Sequence, residues 1–297
     1  MNSSTLYIIG NGFDIYHGIE SRYSSFKNYF HVHDRDSHDR VEEYLQVHED
    51  WSDLEIALAY LDIGTVLDHA SDFLQSYATE KWSDAYHHDY QFEINNIVSS
   101  LSSKLKSEFC DWLRQLTIPY FNELNCTPLK LNNAGTFFNF NYTPSLEHIY
   151  GIPKENIFYI HGKIGDPNTE IILGHAWNPA DIPDLNDVPD PEDMDTRVME
   201  GNEILNDYFK KTFKQTDQII KQNKQFFDSL KSISEIRILG HSLSEVDFKY
   251  IEVISKVVMP NCSWKISYYN NNEINNHRSV MERLNVKNQE YCTLQNI

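Results

Sequence analysis

The chain has 297 residues, 40% of them hydrophobic, which is enough for one large α/β domain with insertions or for two smaller domains. Its formal net charge is −19 and it contains no run of Lys or Arg, so direct binding to nucleic acid is not expected. The sequence has no apolar run of transmembrane length, and its first residues lack an export signal. We therefore expect a cytoplasmic protein that does not bind membranes.

The residues that commonly bind metals are scattered. The four cysteines form no C-x-x-C pair, so neither a zinc ribbon nor a disulfide scaffold is expected, and the thiols should be reduced. Residues 31–40 carry three histidines among aspartates. We predict a solvated polar loop there, because no helix or strand pattern fixes the geometry of the ligands. No resident metal is expected.

The first element that we predict is a strand followed by a glycine loop. The apolar run Leu6–Ile9 is too short for a helix and is typical of an interior parallel strand. Gly10 and Gly12 then allow the backbone to approach a ligand closely, and a helix is predicted to start near Asp14. Amide groups at such a turn bind phosphate. Because Ile15 replaces the third glycine of the dinucleotide fingerprint, a turn without a ligand is the alternative.

A long helical pattern follows the first strand. From Val41 to about Leu116, apolar residues recur at spacings of three and four. We predict that residues 31–129 form a helical insertion packed on a Rossmann-like nucleotide-binding domain, which is made of residues 1–30 and 130–297. Within the insertion, Glu55 is predicted to be an ordinary exposed helix carboxylate.

Further apolar runs predict the remaining strands, at residues 136–142, 156–160, 171–173, 236–239 and 264–269. The turn after Gly165 suggests that the runs 156–160 and 171–173 pair as a hairpin. Residues 181–195 carry many aspartates and several prolines, and we predict a flexible acidic loop. A helix is predicted to begin near Asp247.

Polar or glycine residues stand at the ends of four of these strands. In a parallel sheet the carboxyl ends of the strands share one edge, where ligands bind. We expect a nucleotide-sized cleft there, in which His161 accepts a proton and Asn141 orients a hydroxyl or a water. The residues expected to bind the ligand are Gly10, Asn11, Gly12, Phe13, Asp14, Tyr142, Thr143, Gly162, Gly240, His241, Ser242 and Asp247.

The order of these motifs resembles the bacteriophage abortive-infection AbiH family. The segments that carry the resemblance are Leu6–Asp14, Trp51–Glu55, Phe138–Thr143, Ile160–Gly162, Leu173–His175 and Leu239–Leu243 with Asp247. The resemblance spans most of the chain, and it implies a function in defence against phage.

At a greater distance the same order resembles the sirtuin-like NAD-binding fold. That resemblance implies that Asn141 and His161 are catalytic and that Gly240–Leu243 meets the ribose and phosphates of NAD. Three features depart from the sirtuin pattern. Thr143 replaces an aspartate that holds nicotinamide, Asn11 replaces an alanine, and there is no zinc ribbon.

Together these patterns predict an anti-phage defence protein that binds NAD or a related nucleotide and hydrolyses its N-glycosidic bond. Two alternatives remain open. One is a nucleotide-sensing or partner-binding module without turnover. The other is a metal-dependent nuclease that uses His161, His175 and His241. The expected partners are a small nucleotide, a phage-derived trigger or a partner defence protein, and a second copy of the chain.

Overall fold

The computed structural model describes residues 4–76, 86–189 and 194–297. The chain divides into two compact units. The first consists of Met1–Arg22, Trp112–Ile172 and Gln215–Ile297, and the second of Tyr23–Asp111 and Leu173–Lys214. The second unit thus combines most of the predicted insertion with a segment that the sequence analysis assigned to the nucleotide-binding domain.

The first unit is organised around a six-stranded sheet. Its strands are β1 (Thr5–Ile9), β2 (Thr136–Asn139), β3 (Ile157–Tyr159), β4 (Glu235–Leu239), β5 (Ser263–Tyr268) and β6 (Gln289–Thr293). Their spatial order is 3-2-1-4-5-6, and every neighbouring pair is parallel. The predicted α/β, Rossmann-like fold class is therefore confirmed. In doubly wound sheets of this order, ligands bind where the strand order reverses, here between β1 and β4.

The helices, in chain order, are α1 (Asn11–Tyr16), α2 (Tyr23–His33), α3 (Arg35–Tyr44), α4 (Leu54–Ala57), α5 (Ile63–Ser71), α6 (Tyr86–Ser99), α7 (Leu105–Gln115), α8 (Ser145–Tyr150), α9 (Thr196–Lys211), α10 (Thr216–Gln222), α11 (Lys224–Ser229), α12 (Phe248–Val257) and α13 (Asn271–Arg283). A π-helical turn, Ser100–Lys104, joins α6 to α7. In the described part of the chain, no helix is long and apolar enough to cross a membrane.

The sheet is buried on both faces, and β1 shows why its sequence is uniformly apolar. Leu6 and Ile8 lie in one hydrophobic core, whereas Tyr7 and Ile9 lie in the core on the opposite face. Successive side chains of a strand point to opposite faces, so both sets must be apolar when helices cover both sides.

The predicted strand at 171–173, and its hairpin with residues 156–160, are wrong. The amide of Ile172 donates to the carbonyl of His161 at 2.9 Å, but the Ile172 carbonyl accepts from the Tyr142 hydroxyl instead of from a strand. The Tyr142 hydroxyl therefore occupies the carbonyl oxygen of Ile172, which pairing with a neighbouring strand would need as an acceptor. Strand β2 is also shorter than predicted, since it ends at Asn139.

The second unit is helical, as predicted for residues 41–116, although residues 77–85 lie outside the described part. The predicted polar loop at 31–40 is wrong, because α2 continues to His33 and α3 begins at Arg35. Asp34 caps α3, and its side chain accepts from the amide of Ser37 at 3.1 Å. This Asp-x-x-Ser spacing is a helix-start signal in the sequence.

The predicted acidic loop, residues 181–195, lies partly outside the described residues. In its described part the amide of Leu185 donates to the side chain of Asn206, and the side chain of Asn186 donates to the carbonyl of Met199. Both acceptors belong to α9. The flexibility of the loop stays a prediction.

Candidate functional site

The loop after β1 packs directly against the loop after β4. A Cβ at Gly10 would lie 2.5 Å from the Cα of His241, and one at Gly12 would lie 2.9 Å from the Cα of Gly240. Gly240 has a φ of +63°, and a Cβ there would lie 2.3 Å from the amide nitrogen of Phe13. The contact between the two loops therefore requires all three glycines.

The amides of the first glycine loop have acceptors inside the protein. Gly10, Gly12 and Phe13 donate to backbone carbonyls at distances between 2.7 and 3.1 Å. The side chain of Asn11 donates to the carbonyl of Ser21 and accepts from the Ser21 hydroxyl. Phosphate binding by this loop stays a prediction, and it would require some of these hydrogen bonds to be exchanged for bonds to the ligand.

Asp14 is a buried carboxylate at the centre of a polar cluster. Its side chain accepts from the hydroxyls of Thr143 at 2.5 Å and Ser145 at 2.6 Å. Burial raises the pKa of Asp14 to about 6, against the lowering effect of hydrogen bonds from Ser145, Thr143 and Asn141. The helix that was predicted to start near Asp14 begins earlier, because Asp14 lies inside α1, whose N-cap is Gly10.

Asn141 lies just beyond the end of β2, where the sequence placed it. Its Nδ2 donates to the carbonyl of Gly10 at 3.1 Å, and its backbone amide donates to the side chain of Asn139 at 3.0 Å. Asn141 therefore ties the end of β2 to the glycine loop after β1. The hydrogen bonds of this side chain fix the orientation of its carboxamide.

His161 follows β3 and is only 2% exposed. Its Nε2 lies 3.4 Å from Oδ1 of Asp247, and Nε2 of His241 lies 3.6 Å from Oδ2 of the same carboxylate. The Asp247 carboxylate thus stands between two imidazoles. Nδ1 of His241 accepts from the amide of Leu243 at 2.9 Å, so in the neutral ring Nε2 carries the proton and faces Asp247.

Two residues of α13 extend this group. His277 is fully buried, and its Nε2 lies 3.9 Å from Oε1 of Glu273. Burial, and then the charge of His241, lower the pKa of His277 to about 4. Aromatic rings surround the same histidines: the ring centroid of Phe140 lies 4.3 Å from that of His241 and 5.4 Å from that of His161. The group is therefore largely shielded from water.

The other predicted ligand residues have different surroundings. Phe13 is fully buried in a hydrophobic core, Ser242 is exposed, and the Tyr142 hydroxyl donates to a carbonyl. A Cβ at Gly162, where φ is +82°, would lie 2.3 Å from the carbonyl oxygen of Glu170. A role for these four residues in ligand binding stays a prediction.

Two sequence expectations outside this site need correction. Glu55 is not an ordinary exposed carboxylate, because it forms an ion pair with the fully buried Lys214 and accepts from the Tyr23 hydroxyl. His175 does not end a strand of the sheet, because it belongs to the second unit and forms an isolated bridge with Phe213. The nuclease alternative stays a prediction.

Sequence reasoning missed three residues of the site: Ser145, Glu273 and His277. Ser145 follows Pro144 and begins α8, a few residues after the end of β2, so its position was a usable signal. Glu273 and His277 lie on a helix far along the chain, one turn apart, and nothing in their local pattern points to the site.

A parallel sheet of order 3-2-1-4-5-6, with buried histidines and carboxylates at its carboxyl edge, defines a Rossmann-like α/β protein with a polar site. A family model described as bacteriophage abortive infection AbiH matches residues 6–268. The chain therefore belongs to the AbiH family, which implies a role in abortive-infection defence against phage. No curated protein and no solved structure matches the chain. The sirtuin-like resemblance stays a prediction.

Proposed function

We propose that the chain binds NAD or a related nucleotide at the carboxyl edge of the sheet and hydrolyses its N-glycosidic bond. Loss of the cofactor would then stop phage growth in the infected cell. The observation that carries the proposal is the pair of imidazoles on the Asp247 carboxylate, His161 and His241, at the edge that also holds Asn141. This is the edge where sheets of this order bind dinucleotides.

The proposed chemistry needs few groups. When the bond between the ribose C1′ and the pyridinium nitrogen breaks, the nitrogen keeps the electron pair and nicotinamide leaves as a neutral molecule. Water then adds to the oxocarbenium-like C1′ and gives its proton to a base. Asp247 would orient His161 and stabilise its protonated form, and His161 would act on a ribose hydroxyl or accept that proton. Asn141 would place the water through its Oδ1.

Asp14 supports recognition of nicotinamide in this proposal. Thr143 stands where a sirtuin-like site has an aspartate, but the Thr143 hydroxyl is hydrogen-bonded to the Asp14 carboxyl. A carboxyl group is therefore present next to position 143, although it comes from another element. We infer that Asp14 would receive the carboxamide of the ligand.

The test is incubation of the purified protein with NAD, NADP and related nucleotides, followed by mass spectrometry of the products. We expect nicotinamide and ADP-ribose from NAD, and a loss of about 100-fold or more in rate for His161→Ala and Asn141→Ala. His148→Ala is the matched control, because His148 is an exposed histidine of the same unit. Intact nucleotides in every reaction, with and without phage lysate, together with full defence by a His161→Ala strain, would refute the proposal.

A second candidate is a nucleotide sensor without turnover. It is favoured by Thr143, which stands where the sirtuin-like pattern has an aspartate that holds nicotinamide and which donates its hydroxyl to Asp14. Denaturing the protein as isolated and identifying what it releases separates the two candidates. An intact nucleotide at one per chain, which persists on incubation, supports the sensor. A phage-derived trigger or partner defence protein would then read the bound state.

A further inference from the structure

The junction between α2 and α3 brings together three groups that commonly bind metal ions. Nδ1 of His31 lies 3.4 Å from Nδ1 of His38, and Nδ1 of His38 lies 2.9 Å from Oδ1 of Asp39. All three ligand atoms lie within 4.8 Å of one another. His38 is buried, whereas His31 and Asp39 are exposed. These residues all belong to the second unit and are separate from the function proposed above.

We propose that His31, His38 and Asp39 form a binding site for a divalent transition-metal ion, with Zn²⁺ as the best match and a fourth position open to solvent. Zinc binds imidazole nitrogens and carboxylate oxygens at about 2.0–2.2 Å, so neighbouring ligand atoms in a tetrahedron lie about 3.3 Å apart. The distance of 3.4 Å between the two Nδ1 atoms matches such an edge, and the distance of 2.9 Å to Asp39 needs only a small adjustment.

The same three atoms form a hydrogen-bonded set, because one proton on Nδ1 of His38 can be shared between Oδ1 of Asp39 and Nδ1 of His31. A bound metal ion would displace this proton. A cation bound at this position would be contacted by all three lone pairs at once. Borderline metals such as Zn²⁺, Ni²⁺ and Cu²⁺ prefer two imidazoles and a carboxylate, whereas Mg²⁺ and Ca²⁺ prefer oxygen ligands.

The surrounding residues hold the central ligand in place. The ring of His38 stacks on Trp51, with centroids 5.3 Å apart and an interplanar angle of 19°. Trp51 has a φ of +55°, a left-handed conformation that is costly for a bulky residue. Its indole donates to Glu42, one turn beyond His38 on α3. This strained and hydrogen-bonded tryptophan restricts the orientation of the His38 imidazole before any ion binds.

Asp39 supplies the carboxylate nearest to the two histidines. Its Oδ1 lies 2.9 Å from Nδ1 of His38. Its second oxygen, Oδ2, lies 3.6 Å from Nε of Arg35, which leaves Oδ1 directed toward the histidines. Glu42 also lies near His38, but it is paired with Lys27, whose Nζ lies 2.8 Å from Oε1 of Glu42. An ion bound here would join the end of α2 to the start of α3.

The test uses the full chain after removal of metals with EDTA. Zn²⁺ is titrated by calorimetry, and Co²⁺ is titrated by its visible absorption, which reports tetrahedral coordination. The variants are His31→Gln and Asp39→Asn, both at exposed positions where folding should survive. The matched control is His33→Gln. His33 is an exposed histidine of the same helix, and its Nδ1 lies 2.8 Å from the carbonyl oxygen of Tyr29.

We expect one tightly bound ion per chain in the unchanged protein and in His33→Gln. Affinity should fall by about tenfold or more in His31→Gln and in Asp39→Asn. Zn²⁺ should raise the Tm of the unchanged protein and of His33→Gln, because an ion that binds only the folded state stabilises it, and this rise should be lost in the two ligand variants. The absence of tight binding, or binding that both ligand substitutions leave unchanged, would overturn the proposal.

Discussion

Replacement of Asp14 by Asn tests whether the buried carboxylate destabilises the folded chain at neutral pH. Burial raises the pKa of Asp14 from 3.8 to about 6, so between these values the folded state holds the proton more tightly than the unfolded state. Stability from the protonated carboxyl is fully present below about pH 4 and is lost as the pH rises through 6. Since asparagine does not ionise, Asp14→Asn should not show this loss.

The size of the effect follows from the shift in pKa. A difference of about 2 pKa units corresponds to about 3 kcal/mol in the free energy of unfolding, of which about 2 kcal/mol falls between pH 4.5 and pH 7.5. Asparagine can retain the contacts, because its oxygen accepts from one hydroxyl, Thr143 or Ser145, and its amide donates to the other. From pH 4.5 to pH 7.5, the free energy of unfolding of Asp14→Asn should therefore rise by about 2 kcal/mol relative to that of the unchanged protein.

The assay is urea unfolding followed by tryptophan fluorescence at several pH values. Other groups titrate in the same range, but they are present in both proteins and cancel in the difference. Asp217→Asn is the control, because Asp217 is an exposed carboxylate of the same unit. A difference between Asp14→Asn and the unchanged protein that stays constant from pH 4.5 to 7.5 would refute the assignment of a raised pKa to Asp14.

Three further substitutions test other features, each by urea unfolding. Gly240→Ala should lower the free energy of unfolding by more than about 3 kcal/mol, because its Cβ would lie 2.3 Å from the facing loop. Gly151 has a similar φ but open space around it, so Gly151→Ala should lower this free energy by only about 1 kcal/mol. Equal losses would contradict the required loop contact. Lys214→Met removes the cation that pairs with Glu55 and should lower the free energy of unfolding by about 3–5 kcal/mol. Adding Glu55→Gln to this variant should restore more than half of the loss. No recovery would contradict the ion-pair explanation. The pKa of His277 is lowered to about 4, so on acidification the unfolded state takes up the proton first and the free energy of unfolding falls as the pH falls below 6.5. Between pH 7 and 4.5, His277→Gln should lose about 2 kcal/mol less of this free energy than the unchanged protein. An unchanged pH profile would contradict a buried neutral histidine.

The strand ends of the site could be predicted because each is a local pattern. An apolar run followed by glycine or a polar residue marks the end of a parallel strand. The order of the sheet then brings Asn141, His161 and His241 to one edge. The alternation of β1 between two cores explains why the run was uniformly apolar, and this is also what made the strand recognisable.

The rest of the site depends on tertiary packing that a local pattern does not encode. His277 reaches the site because α13 packs on β5, and its helix gives no sign of this in its own sequence. The run 171–173 is apolar enough for a strand, but the Tyr142 hydroxyl competes for its carbonyl and ends the pairing. The junction at 31–40 is a different case, because the Asp34 cap was present in the sequence and was outweighed by the high polarity of the segment.

Thr143 stands where the sirtuin-like pattern has an aspartate, and a carboxyl group lies beside it. Both oxygens of Asp14 accept from hydroxyls, one of which belongs to Thr143. Two carboxylates at this distance would repel each other, and one would stay protonated. Threonine at position 143 is therefore compatible with the proposed site, in which Asp14 of α1 supplies the carboxyl group. Burial raises the pKa of Asp14 to about 6, so ligand binding at this position, as proposed above, would depend on pH near that value.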